Sequence, residues 1–456
     1  MITLLAAFGH VAFDVLFGWT LWSLHRHERS WAETLTLSVL LGIYVETLSV
    51  ATLMFLGISL RAAGIGTAVA MGVVIISAFY RGGLRYSRPS IERPKWYEWA
   101  LLAAIGEKIF FVVWQLTRTH AYFDDNLQHW SGRARSLFGG LNWSLDSMSP
   151  FFLGGHIGNS SYPLQIVIWR ALTAELRGEW NDIISRADGL IFFVVILGTI
   201  WLAVRRFSNL RWLAAAAAFV VSAVPLHAWH AAAGYSDIAV EAFAVVSLAA
   251  LMRGEWFTGG LMAAGAVWSK NDGLVLFFPA LLTAVGMLQT RNLAGRFEWR
   301  NVGRFLSGFA TIAPWLIFNY IHALGITAGQ GELNWHSDAL ALLWNAVMKG
   351  PTSSILWIFV FACAIYSWVA MFKDRTGRAL ILAFSVSLAA IVFIFSSTSA
   401  YRFLVDDTTI HRTMMQFSAM AVLVVTYGFW LKTRSVEWSR PLARVRRSKT
   451  SGLKRG

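Results

Sequence analysis

The chain has 456 residues, of which 56% are hydrophobic and only 14% are charged, whereas an ordinary soluble domain carries about 25% charged residues. The apolar residues come in separate blocks of roughly 16 to 25, close to the ~20 residues that cross a bilayer. The net charge of +14 could indicate a nucleic-acid partner, but the basic residues are grouped between the apolar blocks. We therefore predict an all-α, polytopic transmembrane helical bundle with no nucleic-acid partner.

Thirteen membrane spans are predicted from the length and periodicity of the apolar blocks. They lie near residues 2–23, 34–58, 62–80, 100–118, 186–204, 211–226, 237–252, 256–269, 273–290, 305–324, 352–372, 379–397 and 412–431. This order predicts three parts of the chain: three additional amino-terminal spans with a basic linker (1–99), a main transmembrane domain (100–431) and a basic tail (432–456).

Basic residues favour one side of the predicted membrane. With thirteen spans, 27 of the 39 Lys and Arg residues fall on one side, 11 on the other, and Lys108 within a span. Since cytoplasmic connections carry an excess of Lys and Arg, the basic side is predicted to be cytoplasmic, and the basic tail is expected to contact anionic membrane lipids. We predict a multi-pass protein of the cell membrane, here a bacterial inner membrane, whose outer connections face the periplasm or exterior.

The longest connection, residues 119–182, is predicted to lie on the outer face. It begins with HAYFDDNLQHW, in which Asp124 and Asp125 are flanked by aromatic residues. Loops of this length are usually functional or disordered. The aromatic-rich stretches WSGRARSLFGGLNWSL and LQIVIWRALTAEL argue against disorder and predict helices that lie in the membrane interface. Another such helix is predicted within the outer connection at 325–349, which contains GELNWHSDALALLW.

Polar residues at the outer ends of the predicted spans are the candidates for chemistry. They come from stretches of sequence that would meet at one face of the bilayer: Asp124 and Asp125; His156 and Tyr162; Tyr235 and Asp237; Lys270, Asn271 and Asp272; and Arg402, His411 and Arg412. His227 and His230 are interpreted as solvated loop residues. The sequence contains no zinc-type spacing of Cys and His, no Gly-rich phosphate loop and no Gly-x-Ser-x-Gly elbow.

Each candidate also has a purely structural interpretation. Asp124 or Asp125 could cap a helix that begins at NLQHW, and the stretch SKNDG is typical of a hairpin turn. Burying a lysine in hydrocarbon costs on the order of 2.5–3.5 kcal/mol, so Lys270 at the membrane boundary needs a partner or a function. His411 and Arg412 could mark the interface by extending towards water.

Carboxylates beside cations on the outer face of a membrane fit the transfer of a sugar from a polyprenyl phosphate to a hydroxyl group. A carboxylate accepts the proton of the acceptor as a general base. Basic side chains, or a metal held by aspartate, stabilise the charge of the departing phosphate. Because the lipid tail of such a donor needs an apolar wall, the site is expected at the interface.

From about Ala100 onward, the chain resembles the GT-C glycosyltransferases, the superfamily of the dolichyl-phosphate-mannose protein mannosyltransferases and the bacterial lipid A aminoarabinose transferases. The resemblance lies in the order of five short motifs. They are the acidic pair Asp124-Asp125 that opens the first outer loop, the Tyr162-Pro163 element, the GYSD turn at 234–237, the KNDG turn at 270–273 and the basic pair His411-Arg412.

The resemblance implies a role for each of these residues. Asp124 would be the catalytic base, with Asp125 supporting it or contacting a divalent cation such as Mg or Mn. Lys270, His411 and Arg412 would bind the donor phosphate. The substrates, a polyprenyl-phosphate-linked sugar donor and a glycan, lipid or protein acceptor of the cell envelope, would contact His156, Tyr162, Tyr235, Asp237, Asn271 and Asp272.

The same interpretation makes a geometric prediction. Lys270 and Arg412 should meet around one phosphate, although they are about 140 residues apart in the sequence. The two aspartates Asp124 and Asp125 should then lie across a cavity from these cations, at the distance of one sugar ring.

Two other classes of function remain open. A secondary transporter or lipid flippase would use the carboxylates within predicted spans, because ionisable groups in a membrane often mark a transport pathway. These carboxylates are Asp14, Glu46, Glu107 and Glu241. A non-catalytic assembly scaffold also fits the sequence, but it explains none of the converging outer stretches. The long, structured outer connection favours the enzyme.

Overall fold

The structure, a computed structural model, describes residues 2–24, 30–81, 94–120, 125–181, 183, 186–289, 297–325, 333–349, 354–407 and 409–438. These residues form an almost entirely helical fold without a β-strand. The first ten α-helices are α1 (Ile2–Leu24), α2 (Trp31–Phe55), α3 (Leu60–Tyr80), α4 (Trp96–Arg118), α5 (Arg133–Gly139), α6 (Gln165–Arg177), α7 (Ala187–Ser208), α8 (Arg211–Ser222), α9 (Pro225–Ala233) and α10 (Asp237–Met252).

The second half of the chain continues the same all-helical pattern. Its helices are α11 (Trp256–Ser269), α12 (Phe278–Gln289), α13 (Trp299–Phe309), α14 (Ala313–Ile321), α15 (Ala339–Lys349), α16 (Ser354–Lys373), α17 (Arg375–Ser397), α18 (Tyr401–Val405), α19 (Ile410–Met415) and α20 (Ser418–Trp438). Two π-helical turns, Asn126–Gly132 and Gly273–Phe277, and a 3₁₀ turn, Ala310–Ile312, lie between them.

Seven described helices are long and apolar enough to cross a membrane, judged by length and composition: α1, α2, α3, α4, α7, α16 and α17. Helices α8 and α9 qualify together as an eighth span, with a bend of 62° between them. The all-helical fold is confirmed, and these helices suggest a membrane protein. The predicted count of thirteen spans is not confirmed.

The difference arises largely from short helices in the middle of the chain. α10 has 16 residues and α11 has 14, fewer than the ~20 needed to cross a bilayer unaided. Every residue from Asp237 to Leu251 is buried, because α11 and other helices pack around α10. A helix that is apolar on all sides can therefore be a core helix of the protein, which the sequence pattern alone does not distinguish from a span.

Helix α2 belongs to the same core as the later part of the chain. Of its most apolar window, 78% is buried, compared with 17% for α4. The hydroxyl groups of Tyr44 and Thr311 lie 2.6 Å apart, and Trp268 donates from Nε1 to Thr47 Oγ1 at 3.0 Å. Helix α2 is thus hydrogen-bonded to α11 and to the 3₁₀ turn before α14.

The long connection after α4 is folded around two buried arginines, Arg133 in α5 and Arg170 in α6. Arg133 donates from Nε to the carbonyl oxygen of Leu153 at 2.8 Å. In α6, residues Gln165 to Ala174 are all buried, and the helix contacts α1, α2, α3 and α11. The placement of this segment in the membrane interface stays a prediction, while most of the surface of α6 is covered by other helices.

Candidate functional site at the Asp237–Lys270 cluster

Lys270 follows directly after α11 and is buried between two carboxylates. Its Nζ lies 3.0 Å from Asp237 Oδ1 and 3.0 Å from Asp272 Oδ2. The turn that holds it requires glycine at position 273, since a Cβ there would lie 2.3 Å from the carbonyl carbon of Ala266. Burial alone would lower the pKa of Lys270, but the two carboxylates outweigh it and raise the pKa above its ordinary value. Lys270 is therefore a permanent cation here.

Gln416 joins the same pair of aspartates from the other side. Its side-chain amide donates from Nε2 to Asp237 Oδ1 at 2.6 Å and to Asp272 Oδ2 at 3.0 Å. The remaining oxygen of Asp237, Oδ2, lies 3.9 Å from Nδ1 of His230. A single glutamine between α19 and α20 gives no motif, so the sequence analysis missed it. Gln416 therefore links Asp237, at the start of α10, and Asp272, just after α11, to the segment between α19 and α20.

Arg412 lies in α19 and forms an ion pair with Asp125, which directly precedes the first π-helical turn. The guanidinium also lies over the ring of Tyr235, at 5.3 Å from the ring centre. An arginine over an aromatic face is stabilised by the negative charge of the ring surface. The contact links three of the sequence motifs, the acidic pair, the GYSD turn and the basic pair, at one point in space.

A buried arginine positions two of these motifs. Arg170 in α6 pairs with Asp188, with Nη2 at 2.9 Å from both carboxylate oxygens. The same guanidinium donates to Asn126 Oδ1 at 2.7 Å and to the carbonyl oxygen of Gly234 at 2.8 Å. Asn126 follows Asp125 and Gly234 precedes Tyr235, so Arg170 fixes the backbone on both sides of the Arg412 contact.

The cluster borders a cavity of about 520 Å³ that is lined by both charged and apolar residues. The charged residues are Asp125, Lys270, Asp272, Arg402 and Arg412. The apolar residues come mainly from α17 and include Ile391, Phe393, Ile394 and Phe395. Phe393 is 57% exposed and belongs to α17, a candidate span, so part of the apolar lining is also exposed at the protein surface.

His129 and Tyr162 also line the cavity. Tyr162 stacks on Trp130 with ring centres 5.4 Å apart and meets His129 edge-on at 5.2 Å. His129 Nδ1 accepts a hydrogen bond from the backbone N–H of Asn159 at 3.0 Å. Burial lowers the pKa of His129, and nearby cations, including Arg133, add to this effect against the opposing pull of Asp125. Sequence analysis missed His129, which belongs to no recognised motif.

The remaining predicted site residues are placed as follows. Asn271 lines the cavity and donates from Nδ2 to the carbonyl oxygen of Ser161 at 3.2 Å. His156 and His411 are not among the described residues that line it. His156 packs edge-on against Phe151 at 5.0 Å, and His411 pairs with Asp407 at 3.0 Å. Asp124 lies outside the described residues.

Two expectations from the sequence do not hold. Asp125 was expected to lie across a cavity from the cations, but it is ion-paired directly with Arg412. His227 and His230 are fully buried in α9, not solvated, because α9 packs against α4, α7 and α10. His227 Nε2 lies 2.6 Å from Glu241 Oε2, which explains how a carboxylate is tolerated inside α10.

Asp125 was also predicted to contact a divalent cation. Within the described part of the chain, one group of three metal-binding side chains has its ligand atoms within 4.8 Å of one another. It consists of His10, Asp14 and Glu46, on α1 and α2, and it does not include Asp125. At the cavity, the oxygen Oδ2 of Asp125 is bound to Arg412.

Comparison of the chain with models of protein families, with curated proteins and with solved structures found no match. The grounds for a function are therefore the residues of the cavity and their chemistry.

Proposed function

We propose that the chain is a membrane glycosyltransferase of the GT-C type. It moves a sugar from a polyprenyl-phosphate-linked donor to a glycan, lipid or protein acceptor of the cell envelope. In this proposal the chain crosses a bacterial inner membrane thirteen times, and the cavity faces the periplasm or exterior. The topology rests on the distribution of basic residues along the sequence.

The observation that carries the proposal is the presence of cations and of a group of apolar side chains in the lining of one cavity. A lipid-linked phosphate needs cations for its head and apolar side chains for its tail. Lys270 and Arg412 line this cavity together with apolar residues of α17. Preorganised cations in a site with little water stabilise a phosphate leaving group by several kcal/mol, since few solvent dipoles compete with them.

The ion pairs of the cluster suggest how the donor is received. Arg412 is paired with Asp125, and Lys270 with Asp237 and Asp272. A donor phosphate that approaches Arg412 competes with Asp125 for the guanidinium, which binds phosphate in the same bidentate manner as carboxylate. Binding of the phosphate therefore releases Asp125 towards the acceptor side of the cavity.

The transfer itself needs a base on the acceptor side. In the proposed step, the acceptor oxygen forms a bond to the anomeric carbon while the bond from that carbon to the phosphate oxygen breaks. The proton of the acceptor hydroxyl passes to the carboxylate of Asp124, with Asp125 beside it. The electron pair of the broken bond stays on the lipid phosphate, whose charge Lys270 and Arg412 stabilise. A divalent cation at Asp125, Mg or Mn, would add to this stabilisation.

The test separates binding of the phosphate from chemistry. The purified chain is titrated with bare polyprenyl phosphate, and transfer is followed with the sugar-bearing lipid. Arg412→Met should weaken phosphate binding, whereas Lys349→Met, which removes an exposed cation at the end of α15, should not. Asp124→Asn should retain binding but lose about 10²–10⁴-fold in transfer rate, the usual contribution of a general base.

The matched control for the base is Asp146→Asn. Asp146 is exposed in the same long connection and caps its own turn by accepting from the Met148 N–H at 2.9 Å. Full transfer activity in Asp124→Asn and Asp125→Asn together would show that this pair only caps a helix. Equal phosphate binding in wild type and Arg412→Met would remove the proposed phosphate site.

A transporter or flippase is the second candidate, and the carboxylates within helices bear on it. Glu107 is exposed on α4 and pairs with its neighbour Lys108 at 2.9 Å. Glu241 is satisfied by His227, by the Ser418 hydroxyl and by the Ala419 N–H. Asp14 and Glu46 lie near each other in the amino-terminal helices. Movement of polyprenyl phosphate across vesicle membranes without sugar transfer would favour this candidate.

A further inference from the structure

A second polar cluster lies between α1 and α2, and its residues are not part of the described lining of the cavity beside Lys270. His10 and Asp14 are one turn apart on α1, and Glu46 faces them from α2; all three side chains are almost completely buried. The helices approach closely here because residue 42 is glycine: a Cβ at that position would lie 2.2 Å from the carbonyl oxygen of Asp14. Both helices are candidate membrane spans, so these ionisable groups are held where a charge is costly.

The hydrogen bonds around His10 determine which of its nitrogens carries a proton. The hydroxyl of Thr173 donates to the carbonyl oxygen of Trp169 at 2.8 Å, which uses its only hydrogen. With its hydrogen donated to Trp169, the Thr173 oxygen, 2.7 Å from His10 Nδ1, accepts a hydrogen bond from that nitrogen. The neutral imidazole then points the lone pair of Nε2 at Glu46 Oε2, 2.8 Å away. Two electron pairs at this distance require a cation between them, either a proton or a metal ion.

The charge of the cluster distinguishes these two cations. One proton between His10 and Glu46 neutralises one carboxylate, and Asp14 then needs a second proton or a cation of its own. Asp14 Oδ2 accepts from Trp169 Nε1 at 3.2 Å, but its Oδ1 has no hydrogen-bond partner within the described part of the chain. No described lysine or arginine pairs with Asp14 or Glu46. A divalent cation neutralises both carboxylates at once and gives Oδ1 of Asp14 a partner.

We propose that His10, Asp14 and Glu46 form a binding site for a divalent transition-metal ion such as Zn²⁺ or Mn²⁺. Its ligands are His10 Nε2 and one oxygen each from Asp14 and Glu46. Oxygen and nitrogen ligands of zinc lie about 2.0–2.2 Å from the metal, so tetrahedral partners are ~3.4 Å apart. The ligand atoms here lie within 4.8 Å of one another, and small side-chain rotations complete the site. An imidazole ligand favours a transition metal over Mg²⁺ or Ca²⁺, which prefer oxygen alone.

The neighbouring residues orient the ligands as they do in metal sites generally. The Nδ1–H of a metal-binding histidine is usually held by an oxygen acceptor, and Thr173 provides that acceptor. Trp169 binds Asp14 through its indole N–H, and its ring stacks on His10 with ring centres 5.1 Å apart and planes inclined by 4°. α6 thus contributes the supporting groups, and α1 and α2 contribute the ligands.

The site is accessible from a cavity of about 750 Å³ that His10 and Glu46 line. Arg61 and Glu175 also line this cavity and form an ion pair at 3.1 Å. A metal bound by three protein ligands keeps a position open for water or another ligand, the arrangement of catalytic rather than structural zinc sites. The cavity lies on the side of His10 and Glu46, which is where such a fourth ligand would enter.

The proposal is tested by metal binding to the tag-free, metal-stripped chain in detergent, with the stoichiometry measured by elemental analysis and the affinity by calorimetry. We expect one Zn²⁺ or Mn²⁺ per chain, and release of a proton on binding because the ion replaces the shared proton. Glu46→Gln and Asp14→Asn should abolish binding. The control is Glu175→Gln, which removes a carboxylate from the same cavity but not from the ligand set and should bind as wild type does.

A milder variant keeps the test decisive if the ligand variants fail to fold. Thr173→Val preserves the shape of the side chain but removes the acceptor for His10 Nδ1–H, and loss of such a partner lowers metal affinity about 10–100-fold. Replacement by Co²⁺ should give visible absorption bands that change in this variant. Failure of the wild-type chain to bind either ion at micromolar concentration, or equal binding by wild type and Glu46→Gln, would overturn the proposal.

Discussion

The two polar clusters of this protein differ in how their negative charges are balanced. At the cavity, Asp237 and Asp272 share Lys270, and Asp125 has Arg412. Between α1 and α2, Asp14 and Glu46 face only the imidazole of His10. The first cluster contains its own cations, and in the proposed function these cations bind a phosphate. The second has no described lysine or arginine partner, and we propose that it binds a cation. In both proposals the fixed charges of the cluster set the sign of the ligand.

The largest effect is expected from removing the permanent cation of the first cluster. Lys270→Met leaves Asp237 buried without its ion-pair partner, and breaking a buried pair in this way costs about 3–5 kcal/mol. We expect a marked fall in the stability of the purified chain in detergent, followed by thermal or denaturant unfolding. The double variant Lys270→Met with Asp237→Asn should recover much of the loss. If the single variant is as stable as wild type, Lys270 does not balance the charge of Asp237.

An effect of opposite sign is expected in the second cluster. In metal-stripped protein, Asp14→Asn removes a buried carboxyl group that no described lysine or arginine pairs with. A neutral amide costs less to bury than an unpaired carboxylate, so the unfolding temperature should rise. The same change at Asp237 should lower it, because Lys270 then retains Asp272 alone. A fall in both variants would mean that the clusters are balanced in the same way.

The smallest expected effect is a pH dependence that comes from His129. Its pKa in the folded chain is lowered, chiefly by burial. As the pH falls below about 6.5, the ordinary value for histidine, the unfolded chain takes up this proton before the folded chain does. The contribution of His129 to stability is therefore present above that pH and is lost below it. His129→Gln, which can still accept from the Asn159 N–H, should flatten the unfolding temperature between about pH 5 and 6.5; an unchanged slope would exclude His129 as its source.

The sequence was sufficient for the helical fold class, because 56% hydrophobic residues in long blocks leave few alternatives. It was insufficient for counting spans. The pattern of α10 is apolar throughout, yet α10 is a short helix surrounded by protein. A long apolar stretch indicates that a helix avoids water. Neighbouring helices can exclude water from it as well as lipid can, so the stretch alone does not identify a membrane span.

The candidate site shows a similar division. Motifs at the ends of apolar blocks pointed to Lys270 and Arg412, which line the same cavity. The roles assigned to them remain predictions. His129 and Gln416 could not be found, because a single polar residue has meaning only through its neighbours in space. The second cluster had one sequence signal, namely Asp14 and Glu46 within predicted spans. Trp169 and Thr173, which contact Asp14 and His10, are more than 150 residues from those two residues in the sequence.

The burial of α2 has a consequence for how the chain is made. Tyr44 meets Thr311, 267 residues later, and Thr47 meets Trp268. At synthesis rates of about 5–20 residues per second, the delay between translating Tyr44 and Thr311 is on the order of 10 to 50 s. During that time Tyr44 and Thr47 of α2 lack the partners that they have in the folded chain. Assembly of the amino-terminal helices is therefore completed late in biosynthesis, and a nascent fragment that ends before residue 268 lacks the partners of both Tyr44 and Thr47.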